Sequence, residues 1–256
     1  METVKEKPKR PGDPNFQAIT GAYIDLQEAR IGIENRLREA FGGTEEDRKL
    51  IAKRENISLK RREEENLVAS KITKLVHQEP IWTNWLKGVR GIGEIITSQM
   101  LGMVSYCENF DKRSSLYHYM GYHVKDGHAP KKTRGEHIDW NPNGRKLGYN
   151  IAKCFVRTTG PYRALYDNYK ERYTQRMKAG TLPCSCTAAA IKSHKGHYCQ
   201  TKGHADNMAM RATVKLFLSH YWEVGRTLKG LTVEEPYPIG VLKHKTQIDP
   251  PNWIKK

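Results

Sequence analysis

Three cysteines and three histidines are concentrated between residues 184 and 204, where the sequence reads CSCTAAAIKSHKGHYCQTKGH. Two cysteines two residues apart point to the same side of an extended segment, so both thiols can reach one ion. Thiolates combined with one imidazole favour zinc in a closed, structural, tetrahedral site. The predicted ligands are Cys184, Cys186, Cys199 and His204. His197 and His194 are alternatives for the fourth position, and reduced cysteines in an ordinary loop are the alternative to any metal.

A segment with three glycines, LKGVRGIG at residues 86–93, separates two apolar stretches; we call it the glycine loop. Glycine accepts backbone angles that other residues avoid, and the absent side chains let main-chain amides approach a phosphate oxygen. The start of a following helix would add unpaired N–H groups and the positive end of its dipole. The predicted contacts are Lys87, Gly88, Arg90, Gly91, Ile92 and Gly93. The alternative is an ordinary turn between two helices.

The spacing of glycines and apolar residues in this loop resembles the helix-hairpin-helix motif of DNA-binding proteins with little sequence preference. Contacts to phosphates orient a protein on DNA without reading its bases. We therefore expect that replacing Gly91 and Gly93 with bulky β-branched residues weakens DNA binding more than folding.

A second cationic segment, KDGHAPKKTRGEH at residues 125–137, is here called the basic loop. Its lysines and arginine, with two cations that follow it, extend the predicted DNA contacts: Lys131, Lys132, Arg134, Arg145 and Lys146. A solvated loop without a ligand is the alternative. The irregular spacing of the histidines at 123, 128 and 137 argues against a metal in this segment.

The overall charge points to a polyanionic partner. Lysine and arginine total 44 against 28 acids, which gives a formal net charge of +16. Duplex DNA is the predicted partner, and RNA is a second candidate. The sequence has no run of eighteen apolar residues and no secretory signal at its start, so we expect an intracellular protein of the cytoplasm or nucleoid without a membrane partner.

Periodicity and turn signals predict a mainly α protein. We expect a mobile arm at 1–15, a coiled-coil-like helical hairpin at 16–79, a helix-hairpin-helix core at 80–180, a zinc-stabilised loop before a long C-terminal helix at 181–230, and a tail at 231–256. The charged hairpin is a candidate surface for homo-oligomers. Four tyrosines share one face of a predicted helix and are expected to pack: Tyr162, Tyr166, Tyr169 and Tyr173.

Four blocks from Trp85 to about Lys178 resemble, in order, the C-terminal domain of the bridge-RNA-guided insertion-sequence transposases. They read GVRGIGEIITSQML, SSLYHYMGY, NPNGRKLGYNIAK and TGPYRALYDNYKERYTQRMKAG. The resemblance implies a mobile-element protein that handles DNA. Two departures from the family are expected: the absence of its RuvC-like domain, with four catalytic acids, and the absence of its nucleophilic serine from the basic loop. Thr133 is the sole hydroxyl residue of the basic loop.

These observations predict a DNA-binding protein with little sequence specificity that is not an enzyme. One alternative is a recombinase or transposase that cleaves and joins DNA strands. The other is a module that binds structured RNA.

Overall fold

The computed structural model describes residues 11–40, 44–125, 127–135, 137–182, 202–235 and 248–253. In these ranges the protein is mainly helical, as predicted, and pairing of extended backbone is limited to one isolated bridge between Lys125 and His128. The helices are α1 Pro14–Ala40, α2 Glu45–Val76, α3 Pro80–Asn84, α4 Glu94–Val104, α5 Arg113–Tyr119, α6 Pro142–Arg157, α7 Pro161–Lys178 and α8 Lys202–Leu228. No helix in the described part of the chain has the length and apolar character of a membrane span.

The contacts divide the described helices into two units. One contains the described residues up to Thr83 together with Glu94–Ser105, and the other contains Asn84–Gly93 and the described residues from Tyr106 onward. Residues 80–180, predicted as one core domain, contribute to both units, and the predicted domain boundaries stay a prediction.

The first unit is built on an antiparallel hairpin of α1 and α2. Glu65 of α2 is buried and accepts hydrogen bonds from Arg30 at 2.7 Å and from Gln27 at 3.2 Å. Further along α1, Glu34 accepts from Arg62 at 3.3 Å. Because residue numbers rise on α1 as they fall on α2, these pairs fix both the antiparallel direction and the register. Among the described side chains, the buried Glu65 thus ties the highly charged α2 to α1 from the inner side of the hairpin.

The N-terminus of α1 lies against α4 in the same unit. Asp13 caps α1, since its carboxylate accepts from the amides of Asn15 and Phe16, and its own amide donates to the carbonyl of Leu101 at 3.0 Å. A Cβ on Gly102 would lie 2.9 Å from the amide nitrogen of Gln17, so glycine permits this close approach. α1 thus begins at Pro14, two residues before the predicted start, and residues 1–10 of the predicted arm lie outside the described residues.

The second unit is organised around α8, which is buried continuously from Phe217 to Arg226. Phe217 lies among the rings of Trp85, Phe155 and Tyr162, with centroid separations of 5.9, 5.5 and 5.6 Å. Aromatic rings at such distances contribute both buried area and favourable edge and stacking contacts. The packing predicted for the tyrosine face of α7 is confirmed for Tyr162 and Tyr166, which are both buried.

Polar groups on the buried part of α8 have partners on other elements. Glu223 pairs with Arg113 of α5 at 3.1 Å, and both side chains are at most 9% exposed. Nδ1 of His220 lies 2.7 Å from the hydroxyl of Tyr162, and its Nε2 lies 2.8 Å from the carbonyl of Ile248. Donation from Nε2 to that carbonyl and acceptance by Nδ1 from the tyrosine suit a neutral imidazole, in keeping with the pKa of His220, which burial lowers.

The buried ion pair makes a stability prediction. We expect Glu223→Ala to lower the free energy of unfolding by about 3–5 kcal/mol, because Arg113 would remain charged without its partner. Glu171→Ala, on the exposed side of α7, should change it by less than about 0.5 kcal/mol. Urea unfolding followed by tryptophan fluorescence measures both, since four of the five tryptophans lie in this unit. Equal effects of the two substitutions would contradict the assigned role of the pair.

The environment of His220 makes a prediction about pH. Burial lowers the pKa of His220 below its ordinary 6.5, so the unfolded chain binds this proton more readily than the folded chain. Stability should therefore be complete above about pH 6.5 and should decrease as the pH falls below that value. Melting temperatures between about pH 7.5 and 5.5 should decline less steeply for His220→Gln than for the wild type, whereas exposed His137→Gln should keep the wild-type slope. Parallel curves for all three proteins would exclude His220 as the titrating group.

Candidate nucleic-acid interface

The glycine loop has a defined conformation in the second unit. Residues Leu86–Gly88 form a 3-10 turn, and the amide of Ile92 donates to the carbonyl of Val89 at 3.1 Å. Two hydrogen bonds attach the loop to the described C-terminal segment, residues 248–253. Trp85 donates its indole N–H to the carbonyl of Pro251, and Asn252 donates to the carbonyl of Gly88, both at 3.0 Å. The helix expected before the loop is only the five-residue α3, while α4 begins directly after Gly93.

Two of the loop's glycines have different surroundings. Gly91 has a φ of +95°, and a Cβ there would lie 3.0 Å from Oγ1 of Thr158 and 3.3 Å from the backbone of Cys154. A Cβ at Gly93 would meet no atom within 4 Å, and Gly93 is exposed. Gly91 therefore packs the loop against the end of α6, so substitution there is expected to impair folding, which differs from the expectation drawn from the sequence for both glycines. Gly93 keeps the accessible surface that a phosphate contact needs.

The two cations of the glycine loop are on the surface. Arg90 is exposed and donates to Oγ1 of Thr159 at 2.8 Å, so its side chain lies along the connection between α6 and α7. Lys87 is exposed on the 3-10 turn. Both extended cations can turn toward a ligand without leaving a buried partner.

The exposed side of α6 continues this cationic surface. α6 contains four lysines and arginines and no aspartate or glutamate. Three of these cations and one tyrosine recur at spacings of three and four, and therefore share one helix face. This α6 basic face consists of Lys146, Tyr149, Lys153 and Arg157. Tyr149 is 49% exposed, and Nζ of Lys153 lies 5.4 Å from the centroid of its ring.

Helix geometry places the two predicted loops on either side of the α6 basic face. Successive helical residues point about 100° apart. Cys154 and Thr158, which meet the glycine loop, each follow a cation of the face by one residue and lie on one flank. Arg145 precedes Lys146 and lies on the other flank, where it donates to the carbonyl of Pro130 in the basic loop. The three cationic segments are thus consecutive around one helix.

The segments on either side of the basic loop contact each other and so close its base. The amide of Asn141 donates to the carbonyl of Tyr119 at 2.8 Å, and a Cβ on Gly121 would lie 2.7 Å from the ring of Trp140. Beyond this base, Lys125 and His128 exchange both backbone hydrogen bonds at 2.9 Å. The loop's predicted cations, Lys131, Lys132 and Arg134, are exposed.

A cleft of about 330 Å³ lies between the basic loop, α6 and α8, and its lining includes Lys131, Arg145 and Arg211. Arg211 donates to the carbonyls of Gly121 and His123, and burial followed by the charge of Arg145 lowers its pKa. Burial raises the pKa of Tyr122, another lining residue, to about 12, so its hydroxyl stays protonated. The cleft therefore combines a largely apolar lining, which includes Met208 and Met210, with these cations.

The predicted zinc ligands are mostly beyond the described structure. Cys184, Cys186 and Cys199, with the alternatives His194 and His197, lie outside the described residues. His204 is half-buried in the first turn of α8 and lines the cleft.

Sequence reasoning missed three members of the α6 basic face: Tyr149, Lys153 and Arg157. Their spacing of three and four residues from Lys146 could have identified this face from the sequence. The regular spacing of the apolar residues on the opposite, buried face of the same helix drew attention instead.

The glycines make a testable distinction. We expect Gly91→Val to destabilise the protein by about 1–3 kcal/mol or more, from the positive φ and the contact with Thr158. Gly93→Val should change the free energy of unfolding by less than about 0.5 kcal/mol, since no clash arises. Urea unfolding of the two variants tests this, and similar losses would contradict it. Gly93→Val is consequently the variant in which an effect on DNA binding can be separated from one on folding.

No family model, curated protein or solved structure matches this chain. An assignment of function therefore rests on the chemistry of its own residues.

Proposed function

We propose that this protein binds duplex DNA through its phosphates, with little sequence preference, using the glycine loop, the α6 basic face and the basic loop as one surface. The single observation that carries the proposal is α6, whose solvent-facing side presents exposed Lys146 and Arg157 and half-buried Lys153 without an acid anywhere on the helix. Surface helices usually mix both charges, so a helix with cations alone indicates a polyanionic ligand.

The composition of the surface favours phosphate contacts over base contacts. Lysine and arginine on a helix face and on a loop supply point charges along a backbone, and the exposed ring of Tyr149 can lie against a sugar or a base. The surface has a convex helix at its centre. Duplex DNA offers two grooves that accept a helix or a loop, whereas the major groove of A-form RNA is too narrow for side chains. Duplex DNA is therefore the ligand proposed, and structured RNA is the competitor to test against it.

Two further expectations belong to this proposal. The relation to the bridge-RNA-guided transposases rests on the order of four sequence blocks, and it makes the protein a mobile-element component that holds DNA without cutting it. The zinc proposed for Cys184, Cys186, Cys199 and His204 would stabilise the chain ahead of α8. Its chemistry would be structural, because a closed set of four protein ligands leaves no position for a substrate.

The proposal predicts a change in salt dependence. In the variant Lys146→Gln/Lys153→Gln/Arg157→Gln, the slope of log K against log salt for a duplex should become shallower by about two to three, because each lost phosphate contact removes about 0.9. Fluorescence anisotropy with a labelled duplex at several salt concentrations measures the slope. An excess of unlabelled structured RNA in the same assay should compete less well than unlabelled duplex.

A variant with the same charge is the control. Lys60→Gln/Lys71→Gln/Lys74→Gln also lowers the formal net charge of +16 by three, at exposed positions of α2. Its slope should equal that of the wild type. Equal slopes for both triple variants would show that binding depends on total charge and not on the proposed surface. If RNA competes better than the duplex, structured RNA and not DNA is the ligand.

A further inference from the structure

Three side chains at the base of the basic loop form a cluster that DNA binding does not explain. Nε2 of His118, on α5, lies 3.1 Å from Oδ2 of Asp139. The rings of His118 and His123 have centroids 4.2 Å apart. One potential ligand atom from each of the three residues lies within 4.8 Å of the other two. From this juxtaposition we propose that His118, His123 and Asp139 bind a divalent transition-metal ion of the zinc class.

The donor set fits that class of ion. Two imidazole nitrogens and one carboxylate oxygen are ligands that zinc and neighbouring transition metals accept, whereas calcium and magnesium prefer oxygen ligands alone. Ligands bound at about 2.0–2.2 Å to one ion lie roughly 3 Å apart, which is the separation of the His118 and Asp139 atoms. The ion would take the place of the proton that now joins these two side chains. A small rotation of the His123 ring would complete the set.

An unsatisfied nitrogen is a second observation at the same place. Within the part of the chain that the structure describes, Nδ1 of His123 is buried and has no hydrogen-bond partner. Burying a polar atom without a partner costs free energy, so such atoms often mark an ion or a water that a structure does not contain. A bound metal would satisfy either a nitrogen of this ring directly or the ring's hydrogen-bonding requirement through a water ligand.

The backbone around the cluster is fixed before any ion binds. Asn141, two residues after Asp139, donates its amide to the carbonyl of Tyr119 and its side-chain nitrogen to the Tyr119 hydroxyl, at 2.8 and 2.9 Å. The amide of Tyr122 donates to the carbonyl of Tyr117 at 2.7 Å. These bonds hold the segments of all three ligands together, so little ordering entropy is lost on binding.

The charge of Arg211 opposes a cation here, but its position limits the effect. Its guanidinium donates to the carbonyls of Gly121 and His123, and so faces the backbone behind the ring. The side chains of His118 and Asp139 are 45% and 60% exposed. An ion on that side would be open to solvent and would keep at least one coordination position for an oxygen ligand, either water or a phosphate. It would also join α5 to both ends of the basic loop.

Cobalt titration of the full chain tests this proposal independently of DNA. Co²⁺ held by nitrogen and oxygen ligands gives visible d–d bands, and thiolate ligation adds a charge-transfer band in the near ultraviolet, so binding by the cysteines is recognised separately. We expect the cluster to bind one equivalent of Co²⁺ with d–d bands of nitrogen and oxygen ligation; Co²⁺ at the proposed site of Cys184, Cys186, Cys199 and His204 would add a separate equivalent with the thiolate band. His118→Asn and Asp139→Asn should each weaken this binding by about 10–100-fold.

His137→Gln is the matched control, because His137 is an exposed histidine of the basic loop that is not part of the cluster. It should bind Co²⁺ as the wild type does. Asp139 is largely exposed, so Asp139→Asn should retain the helical circular dichroism of the wild type even if His118→Asn does not. The proposal is overturned if the wild type shows no d–d bands of this kind, or if folded Asp139→Asn binds Co²⁺ as tightly as the wild type does.

Discussion

The second unit depends on one constraint: the last third of α8 is buried on all sides although it carries polar and charged residues. Inside a protein such groups must be paired, because an unpaired buried charge is strongly destabilising. Trp222 donates its indole N–H to the carbonyl of Phe110 at 2.7 Å, and Arg226 donates to the carbonyls of Phe110 and Thr232 at 3.1 and 2.9 Å. Each partner lies on a different segment, so pairing these groups determines where those segments lie.

The same helix places the candidate DNA surface. Phe217 of α8 packs against Trp85, and the glycine loop begins at the next residue, so the position of that loop follows from the aromatic core. Phe155 of α6 also packs on Phe217, which turns the opposite side of α6 toward solvent. The α6 basic face is therefore held by a rigid core, while its cations remain on the surface. Side chains placed in this way lose less conformational entropy when a ligand binds than side chains on an unsupported loop.

Much of the helical fold could be predicted, because helix ends are marked by local sequence signals such as capping residues and proline. Asn141 and Pro142 mark the start of α6, and Gly160 and Pro161 mark that of α7. The roles of individual glycines were not predictable in this way. Gly91 and Gly93 look alike in sequence, and only the proximity of Thr158, 67 residues later in the numbering, separates packing from access.

The candidate metal site shows the same limit more strongly. The irregular spacing of His123, His128 and His137 argues against a metal among these three histidines. The candidate ligands that the fold brings together are instead His118, His123 and Asp139, and the proximity of Asp139 to α5 depends on the hydrogen bond from Asn141 to Tyr119. Spacing along the chain could not reveal a contact that requires the loop to close. The α6 basic face, by contrast, can be derived from the helical spacing of its residues, once the opposite side of the helix is known to be buried.

The most direct test of the central claim is a lysine footprint of the protein–DNA complex. Lysine acetylation of the full chain, with and without a duplex, can be quantified at each residue by mass spectrometry. The proposed surface predicts that DNA protects Lys87, Lys131, Lys132, Lys146 and Lys153, and leaves Lys60, Lys71 and Lys74 of α2 as reactive as in the free protein. Protection confined to α2, or equal at all lysines, would contradict the proposed surface.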